Sequence, residues 1–181
     1  MPVDPPQPVE VWVMDESRLG LHTIRRRRLT AYGTKPVGPF QHRFENFMLY
    51  GAIAPRSGDS YFLGLPKLTT VLFQRFLDEF AQARPHTLNV VLVDNSRCHT
   101  AQALQLPPNV ILLFQPPYAP EVNPAERVWR ALKDALAWHV FADLAALQAQ
   151  VVAIIEPWTA TMLQSLTAYP FLMEAINALA P

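Results

Sequence analysis

The stretch Asn89-Val90-Val91-Leu92-Val93-Asp94 decides the fold class of this chain. A short, continuous run of apolar, mostly β-branched residues is typical of a strand that is buried on both faces, as in a parallel sheet. An acid follows the run directly, and ligands bind at the carboxyl ends of strands in open α/β sheets. The stretch therefore predicts a buried strand over residues 89–93 with a candidate functional carboxylate, Asp94, at its end.

Further strands and helices are predicted on both sides of this strand. The other predicted strands have alternating or continuous apolar residues between turn signals; they are residues 9–14, 44–53, 60–65 and 110–114. The predicted helices are one capped by Thr69 or Thr70, one from Asn123 and Pro124 to about Trp138, one over 141–155, and others after Pro157 and Pro170. This order predicts an α/β fold in which a mixed five-stranded sheet is flanked by helices and followed by a helical tail.

Length and composition limit the classes of protein that this chain can represent. Its 181 residues suit one domain, and 50% hydrophobic with 17% charged residues is too apolar for a disordered chain. No apolar run reaches the roughly 18 residues that span a bilayer, and the first residues lack the features of a signal peptide. A single cysteine, Cys98, excludes an intramolecular disulfide and a thiolate metal cluster. We expect a cytoplasmic protein with no membrane partner.

The formal net charge is zero, but the charges are unevenly distributed along the chain. Residues 17–44 contain seven basic residues and no acid: Arg18, Arg25, Arg26, Arg27, Arg28, Lys35 and Arg43. After Lys133 there are four acids and no lysine or arginine. The distribution fits either a surface that faces a polyanion such as nucleic acid or an ordinary solvated basic hairpin, and charge alone does not choose between them.

Two acids follow predicted strands in positions where a carboxylate needs a partner. Asp15 continues the apolar side of the first strand, and Asp94 ends the buried strand. Removing a carboxylate from water costs several kcal/mol, so such a group is neutralised, paired with a cation or bound to a metal.

A third acid, Glu126, lies near the start of the helix that Asn123 opens. On a helical wheel it points away from the core face, in line with Arg130 and Lys133. Glu126 could instead have a purely structural role, either in a capping box with Asn123 or in a surface ion pair with Arg130. If Asp15, Asp94 and Glu126 converge, however, their oxygens suit Mg²⁺ or Mn²⁺, and two such ions roughly 3.5–4 Å apart can promote in-line phosphoryl displacement.

Three stretches of the chain resemble the catalytic blocks of mariner-type DDE transposases, in particular the bacterial insertion-sequence branch. They are residues 11–21, residues 91–100 and residues 117–133. The third block contains Asn123-Pro124-Ala125-Glu126 with Trp129 three residues later, and the second contains Asp94-Asn95 with His99 five residues after the acid. The resemblance covers residues 9–137.

The resemblance implies a ribonuclease-H-like fold with Asp15, Asp94 and Glu126 as catalytic, metal-binding residues. The implied cofactor is a pair of Mg²⁺ ions, for which Mn²⁺ substitutes. The implied function is phosphodiester cleavage at transposon ends, after which the freed 3′ hydroxyl attacks target DNA. A plain ribonuclease-H-like nuclease, or an inactive or partial relic that binds nucleic acid or another subunit, remains an alternative.

The resemblance also supports expectations for supporting residues and partners. The candidate DNA-binding residues are Arg25, Arg26, Arg27, Arg28, Lys35, Arg130 and Lys133. Asn95 and Asn123 are candidates for orienting metal-bound water or a phosphate, although turn and cap bonding explains them as well. His99 is a candidate for contacting DNA or positioning a ligand, and a satisfied surface or core histidine is the alternative. Glu16 and Glu121 are weaker candidates for metal ligands, and Trp129 is expected to anchor its helix rather than stack on a base.

The expected partners are transposon-end and target DNA, a second copy of the chain on that DNA, and a separate helix-turn-helix chain. Relatives carry such a recognition module ahead of this domain, whereas only a short segment precedes the first predicted strand here. Residues 1–140 are expected to form the catalytic domain, and residues 141–181 to be helices packed on it.

Overall fold

A five-stranded mixed sheet forms the centre of the computed structural model, which describes residues 7–116 and 123–179. The strands are β1 (Val9–Gly20), β2 (Asn46–Ile53), β3 (Ser60–Leu65), β4 (Leu88–Val93) and β5 (Val110–Phe114). Their order is β3-β2-β1-β4-β5, and β1 pairs antiparallel with β2 and parallel with β4. The helices are α1 (Thr70–Ala83), α2 (Ala125–Ala135), α3 (Leu144–Ile155), α4 (Ala160–Thr167) and α5 (Pro170–Leu179).

Helices cover both faces of the sheet because β1 and β4 are apolar on both sides. Trp12 and Met14 pack on the α1 side against phenylalanines such as Phe76. Val11 and Val13 pack on the α2 side, in one core with Leu132 and with residues of the C-terminal helices, including Leu147, Leu163 and Ile176. Successive residues of β1 therefore face opposite layers, and Asp15 belongs to the α2 side.

The first strand is longer than its sequence pattern predicts. The predicted end at residue 14 is wrong, because antiparallel pairing with β2 continues from Val13 opposite Ile53 to Gly20 opposite Asn46. Asp15 consequently lies within a paired strand and not after it. The second strand begins at Asn46, two residues later than predicted.

The limits of two helices also differ from the prediction. The third helix begins at Leu144 and not at residue 141, since the Asp143 side chain accepts a hydrogen bond from the Ala146 N–H at 2.8 Å. Helix α2 begins at Ala125, one residue after the proline predicted to open it, and ends at Ala135. It stops short of Trp138, which has a φ of 67° and cannot continue a right-handed helix. Among the described residues, no helix has the length and apolar character needed to cross a membrane.

Candidate active site

The parallel pairing of β1 with β4 ends two residues before Asp15 and Asp94. Its last pair is Val13 with Leu92, so the two acids follow that pair by the same number of residues, Asp15 within β1 and Asp94 directly after β4. Neighbouring strands lie about 4.8 Å apart, so the two backbones are within reach of a common ligand. The sequence separation of these acids says nothing about this proximity; the strand order produces it.

Asp15 is held in a buried setting without a positively charged partner among the described residues. The Trp129 Nε1–H donates to its Oδ2 at 2.9 Å. Burial, together with the negative charges of Glu16 and Glu126, raises the pKa of Asp15 to about 7 against the hydrogen bonds that lower it. A carboxylate in this setting gains from an added cation, which offsets both effects.

Asp94 has different surroundings, although it is adjacent. Its Oδ1 accepts hydrogen bonds from the Ser96 backbone N–H at 2.9 Å and from His99 Nδ1 at 2.7 Å. Burial alone would raise the pKa of Asp94, but the Ser96 N–H and the His99 ring hold that pKa below its ordinary value. Asp94 is therefore ionised at neutral pH without a metal.

His99 links Asp94 to a second carboxylate. Its Nε2 lies 2.9 Å from Glu16 Oε1, and its ring packs on Phe73 with 4.3 Å between ring centroids. Burial lowers the pKa of His99, but the two carboxylates outweigh that effect and raise it above its ordinary value. His99 is thus a satisfied buried group, and its contact with Asp94 also fits a role in positioning a ligand. Its pairing with Glu16 could not be found from the sequence, because the two residues are far apart along the chain.

Glu126 lies exposed in the first turn of α2, on an open cleft with a volume of about 570 Å³. The basic residues that line this cleft are Arg26, Arg127, Arg130 and Lys133. Among the described residues, neither alternative predicted for Glu126 is present. Asn123 Oδ1 accepts from the Ala125 N–H at 3.0 Å instead of forming a capping box, and Glu126 forms no ion pair with Arg130.

The predicted supporting residues contact the protein itself. Asn95 Nδ2 donates to the Gln115 carbonyl at 2.7 Å, and Asn123 Nδ2 donates to the Met14 carbonyl at 3.1 Å. Trp129 is buried, as expected of a helix anchor. Glu121 lies outside the described residues.

The arginine run belongs to an arm, residues 21–45, that connects β1 to β2. Arg25 lies over the Phe40 ring at 5.5 Å, and Arg28 lies over the Trp138 ring at 4.6 Å. Arg26 forms an ion pair with Asp134. Arg27 and Lys35 are exposed.

A further basic residue of the cleft, Arg127, was not predicted from the sequence. It lies over the Tyr169 ring at 4.5 Å, beside Glu126. The sequence signal that could have identified Arg127 is its position directly after the candidate acid Glu126.

The donors at this site suit a hard divalent cation in chemistry and in charge. Asp15, Asp94 and Glu126 offer only oxygen ligands, and Asp15 carries a pKa raised by burial and uncompensated negative charge. Within residues 7–116 and 123–179, no three His, Cys, Asp or Glu side chains are arranged as a complete metal site. The pairing of β1 with β4 brings two of the acids together, and the third is near enough to affect Asp15.

The family model of the DDE superfamily endonucleases matches residues 10–148, and the chain belongs to this family. An uncharacterized protein of Sinorhizobium fredii (strain NBRC 101917 / NGR234), y4pE/y4sA, is 36% identical over 87 residues. That match covers 48% of this chain and 64% of the relative.

Solved structures of a transposase share the fold. The Mos1 transposase paired-end complex with left transposon end has a TM-score of 0.69 at 18% identity, covering 88% of this chain and 51% of that one. The Mos1 strand transfer complex has a TM-score of 0.68 at 19% identity over 87% of this chain and 50% of that one. The Mos1 mariner paired-end complex with Mn has a TM-score of 0.68 at 17% identity, and the match covers 87% of this chain and 51% of that one. The predicted ribonuclease-H-like fold is thus confirmed, and the chain spans about half the length of these transposase chains.

Proposed function

We propose that this chain is the catalytic domain of a DNA transposase, which cleaves phosphodiester bonds at transposon ends and joins the freed strand to target DNA. One observation supports the proposal: Asp15 and Asp94 follow the last parallel pair of β1 and β4 by the same number of residues, and Glu126 is close enough to raise the pKa of Asp15. Acids that lie just beyond the parallel pairing of β1 with β4, next to a basic cleft, suit a phosphate substrate.

The proposed metal ligands are Asp15, Asp94 and Glu126, holding two Mg²⁺ ions for which Mn²⁺ substitutes. Bound there, the ions would activate water and stabilise the leaving 3′ oxygen of the scissile phosphodiester. The Mos1 complexes solved with Mn and with Mg support this choice of cation.

The surrounding residues would prepare the acids and guide the DNA. Trp129 fixes the orientation of Asp15 through its indole N–H, and Ser96 fixes that of Asp94. Arg127, Arg130 and Lys133 give the cleft beside Glu126 a positive charge that attracts the phosphate backbone. Positively charged residues on this side of α2 would offset repulsion between DNA phosphates and the acids.

The proposal includes the partners and the location that follow from a DNA substrate. Transposon-end and target DNA are the substrates, two copies of the chain act together on the DNA, and a helix-turn-helix module on a separate chain would supply end recognition. A cytoplasmic location follows from that substrate. Residues 1–140 would form the catalytic domain, with 141–181 as helices of the same unit.

The test is a strand-joining assay with Mg²⁺ or Mn²⁺. A duplex that carries the terminal repeats flanking the coding sequence is mixed with the protein and a supercoiled target plasmid. We expect nicked ends and joined products, both abolished by Asp94→Asn and retained by the control Glu174→Gln, which changes an exposed acid on α5. Nicks without joined products would favour a plain nuclease. A protein that binds no Mn²⁺ would favour an inactive relic, and cleavage that survives Asp94→Asn would remove this residue from the mechanism.

A further inference from the structure

Glu16, His99 and Asp94 form a continuous chain of hydrogen bonds that the proposed chemistry does not by itself require. The His99 ring is fully buried between the two carboxylates, with Nδ1 2.7 Å from Asp94 Oδ1 and Nε2 2.9 Å from Glu16 Oε1. The contact joins the turn after β4 to the middle of β1. Two acceptors at the two ring nitrogens match an imidazole that donates from both.

The ring has little freedom to turn away from Asp94. The Phe73 ring packs against the imidazole with 4.3 Å between the two ring centroids. The His99 backbone N–H donates to the Ser96 carbonyl at 3.0 Å. Ser96 in turn donates its own N–H to the same oxygen of Asp94 that His99 contacts. Both of these donors therefore bind Oδ1, which fixes the rotation of the carboxylate.

Glu16 faces the opposite side of β1 from Asp15, because successive strand residues alternate. Its side chain is only 5% exposed, whereas that of Asp94 is 52% exposed. Glu16 is thus positioned to hold the far end of the imidazole, and Asp94 to present its other oxygen to the surface.

We propose that His99 and Glu16 are positioning residues: Glu16 orients the His99 ring, and the ring holds Asp94 Oδ1, which leaves Oδ2 free to bind a metal. This inference rests on the proposed function, since it assigns Asp94 as a ligand. It assigns Glu16 to the support of a ligand and not to the metal itself. Partners that orient a ligand in this way typically change metal affinity roughly 10- to 100-fold when they are removed.

Two conservative substitutions of His99 separate positioning from simple structural support. In His99→Asn the amide nitrogen replaces Nδ1 and can still donate to Asp94; in His99→Gln it replaces Nε2 and reaches only Glu16. Mn²⁺ affinity is measured by titration, with the free ion quantified by electron paramagnetic resonance. For His99→Asn we expect a Mn²⁺ affinity within about threefold of wild type. His99→Gln should weaken it roughly 10- to 100-fold. Thermal unfolding checks that both variants are folded, and equal Mn²⁺ affinities in the two would overturn the proposal.

A measurement without metal tests the hydrogen-bond chain separately from the proposed function. In ¹⁵N-labelled protein free of divalent ions, NMR of the His99 ring nitrogens should show that each is hydrogen-bonded to one of the two carboxylates. Asp94→Asn should shift mainly the Nδ1–H signal, and Glu16→Gln mainly the Nε2–H signal. Failure of the wild type to bind Mn²⁺ would overturn the proposed function, whereas ring signals that neither substitution shifts would overturn the chain of hydrogen bonds itself.

Discussion

At the scale of single residues, the surroundings of Asp15 and Asp94 shift the pKa values of the two acids in opposite directions. Burial and nearby negative charge raise the pKa of Asp15, whereas N–H donors from Ser96 and His99 keep that of Asp94 low. Without a metal, the ionised form of Asp15 opposes folding and that of Asp94 favours it. A divalent cation bound to Asp15 would remove the first effect, so binding of the proposed metal would stabilise the fold.

This difference in pKa predicts that replacing Asp by Asn at positions 15 and 94 changes the free energy of unfolding in opposite directions. Between about pH 4 and pH 7 the folded state holds a proton on Asp15 that the unfolded state has lost, so the stability from this residue falls as pH rises. Asp15→Asn should therefore raise the free energy of unfolding at pH 8 by about 2–4 kcal/mol, with a gain that shrinks toward pH 4. Asp94→Asn should lower it at pH 8, because a depressed pKa stabilises the fold above the unfolded value and the effect is lost in acid.

The measurement is urea denaturation in EDTA at pH 8 and pH 4.5. Glu174→Gln, which replaces an exposed acid on α5, serves as the control. Its free energy of unfolding should differ little from that of wild type at either pH. Destabilisation by Asp15→Asn at pH 8 would contradict the assigned environment of that carboxylate.

At the scale of secondary-structure elements, α2 is held on the sheet by Trp129 packing over a glycine of β2. A Cβ added at Gly51 would lie 2.5 Å from Trp129 Cη2 and 2.9 Å from the Phe62 ring. Trp129 is buried and its Nε1–H is bonded to Asp15, so the indole cannot move aside freely. The close approach of α2 to the sheet therefore requires glycine at this position.

Gly51→Ala should destabilise the protein by about 1–3 kcal/mol, the usual cost of forcing extra atoms into a packed core. The matched control is Gly64→Ala on β3, where the added Cβ would meet Phe47 at an ordinary distance of 3.6 Å. Chemical denaturation of both variants measures the difference. Equal effects of the two substitutions would show that Trp129 does not fix the height of α2 above the sheet.

The arm of residues 21–45 is a second element whose position depends on one aromatic side chain. Trp138 donates its Nε1–H to the Arg26 carbonyl at 3.2 Å and its backbone N–H to the Ile24 carbonyl at 2.9 Å. Its ring also lies under Arg28 and would meet a Cβ added at Gly38 at 2.6 Å. The basic run is therefore anchored to the segment after α2 and not simply solvated.

Trp138→Ala should loosen the backbone of the arm, so that trypsin cleaves faster at its exposed arginines. Weakening the attachment of the arm by roughly 1.4 kcal/mol raises the open population, and with it the cleavage rate, about tenfold. Trp158→Ala is the control, since that ring contacts Phe62 and lies outside the arm. Limited proteolysis at a temperature where both variants are folded gives the rates. An unchanged rate in Trp138→Ala would mean that other interactions hold the arm.

At the scale of the whole molecule, a chain with no net charge still has a basic face. Arg26, Arg127, Arg130 and Lys133 line the cleft beside Glu126, and Asp134 neutralises part of the charge by pairing with Arg26. Arg75, on α1 across the sheet, is paired with Glu79. The fold separates charges that cancel in the sum over the sequence.

Replacing Arg130 and Lys133 together with Ala should weaken DNA binding and make it less dependent on salt. Each phosphate that the protein no longer neutralises lowers the log–log slope of affinity against salt by about 0.9, so removing both side chains should lower it by about 1.8. Arg75→Ala should leave the slope unchanged. Fluorescence anisotropy with a labelled duplex at several salt concentrations measures the slopes, and equal slopes for wild type and the double variant would place the DNA elsewhere.

Much of the fold could be predicted because the patterns concerned are local. The apolar run ending at Asp94 and the Asn-Pro-x-Glu stretch before α2 depend on neighbouring residues, and β5 was predicted at its observed limits. Prediction failed where a distant partner decided the outcome. Pairing with β2 extended β1 past Asp15, and the φ of Trp138 followed from its packing against the arm.

The sequence by itself determined the residue types: three carboxylates, a buried strand that ends in one of them, and a basic run near the first. Only the tertiary structure decided what each carboxylate experiences. Strand order put Asp15 in β1 and Asp94 directly after the adjacent strand β4. Trp129, which is distant in the chain, donates a hydrogen bond to Asp15. His99 contacts Asp94, and the distant Glu16 contacts the other nitrogen of the His99 ring. The reason is physical: burial, charge and hydrogen bonding act through space over a few ångströms, and such distances between remote residues exist only after folding.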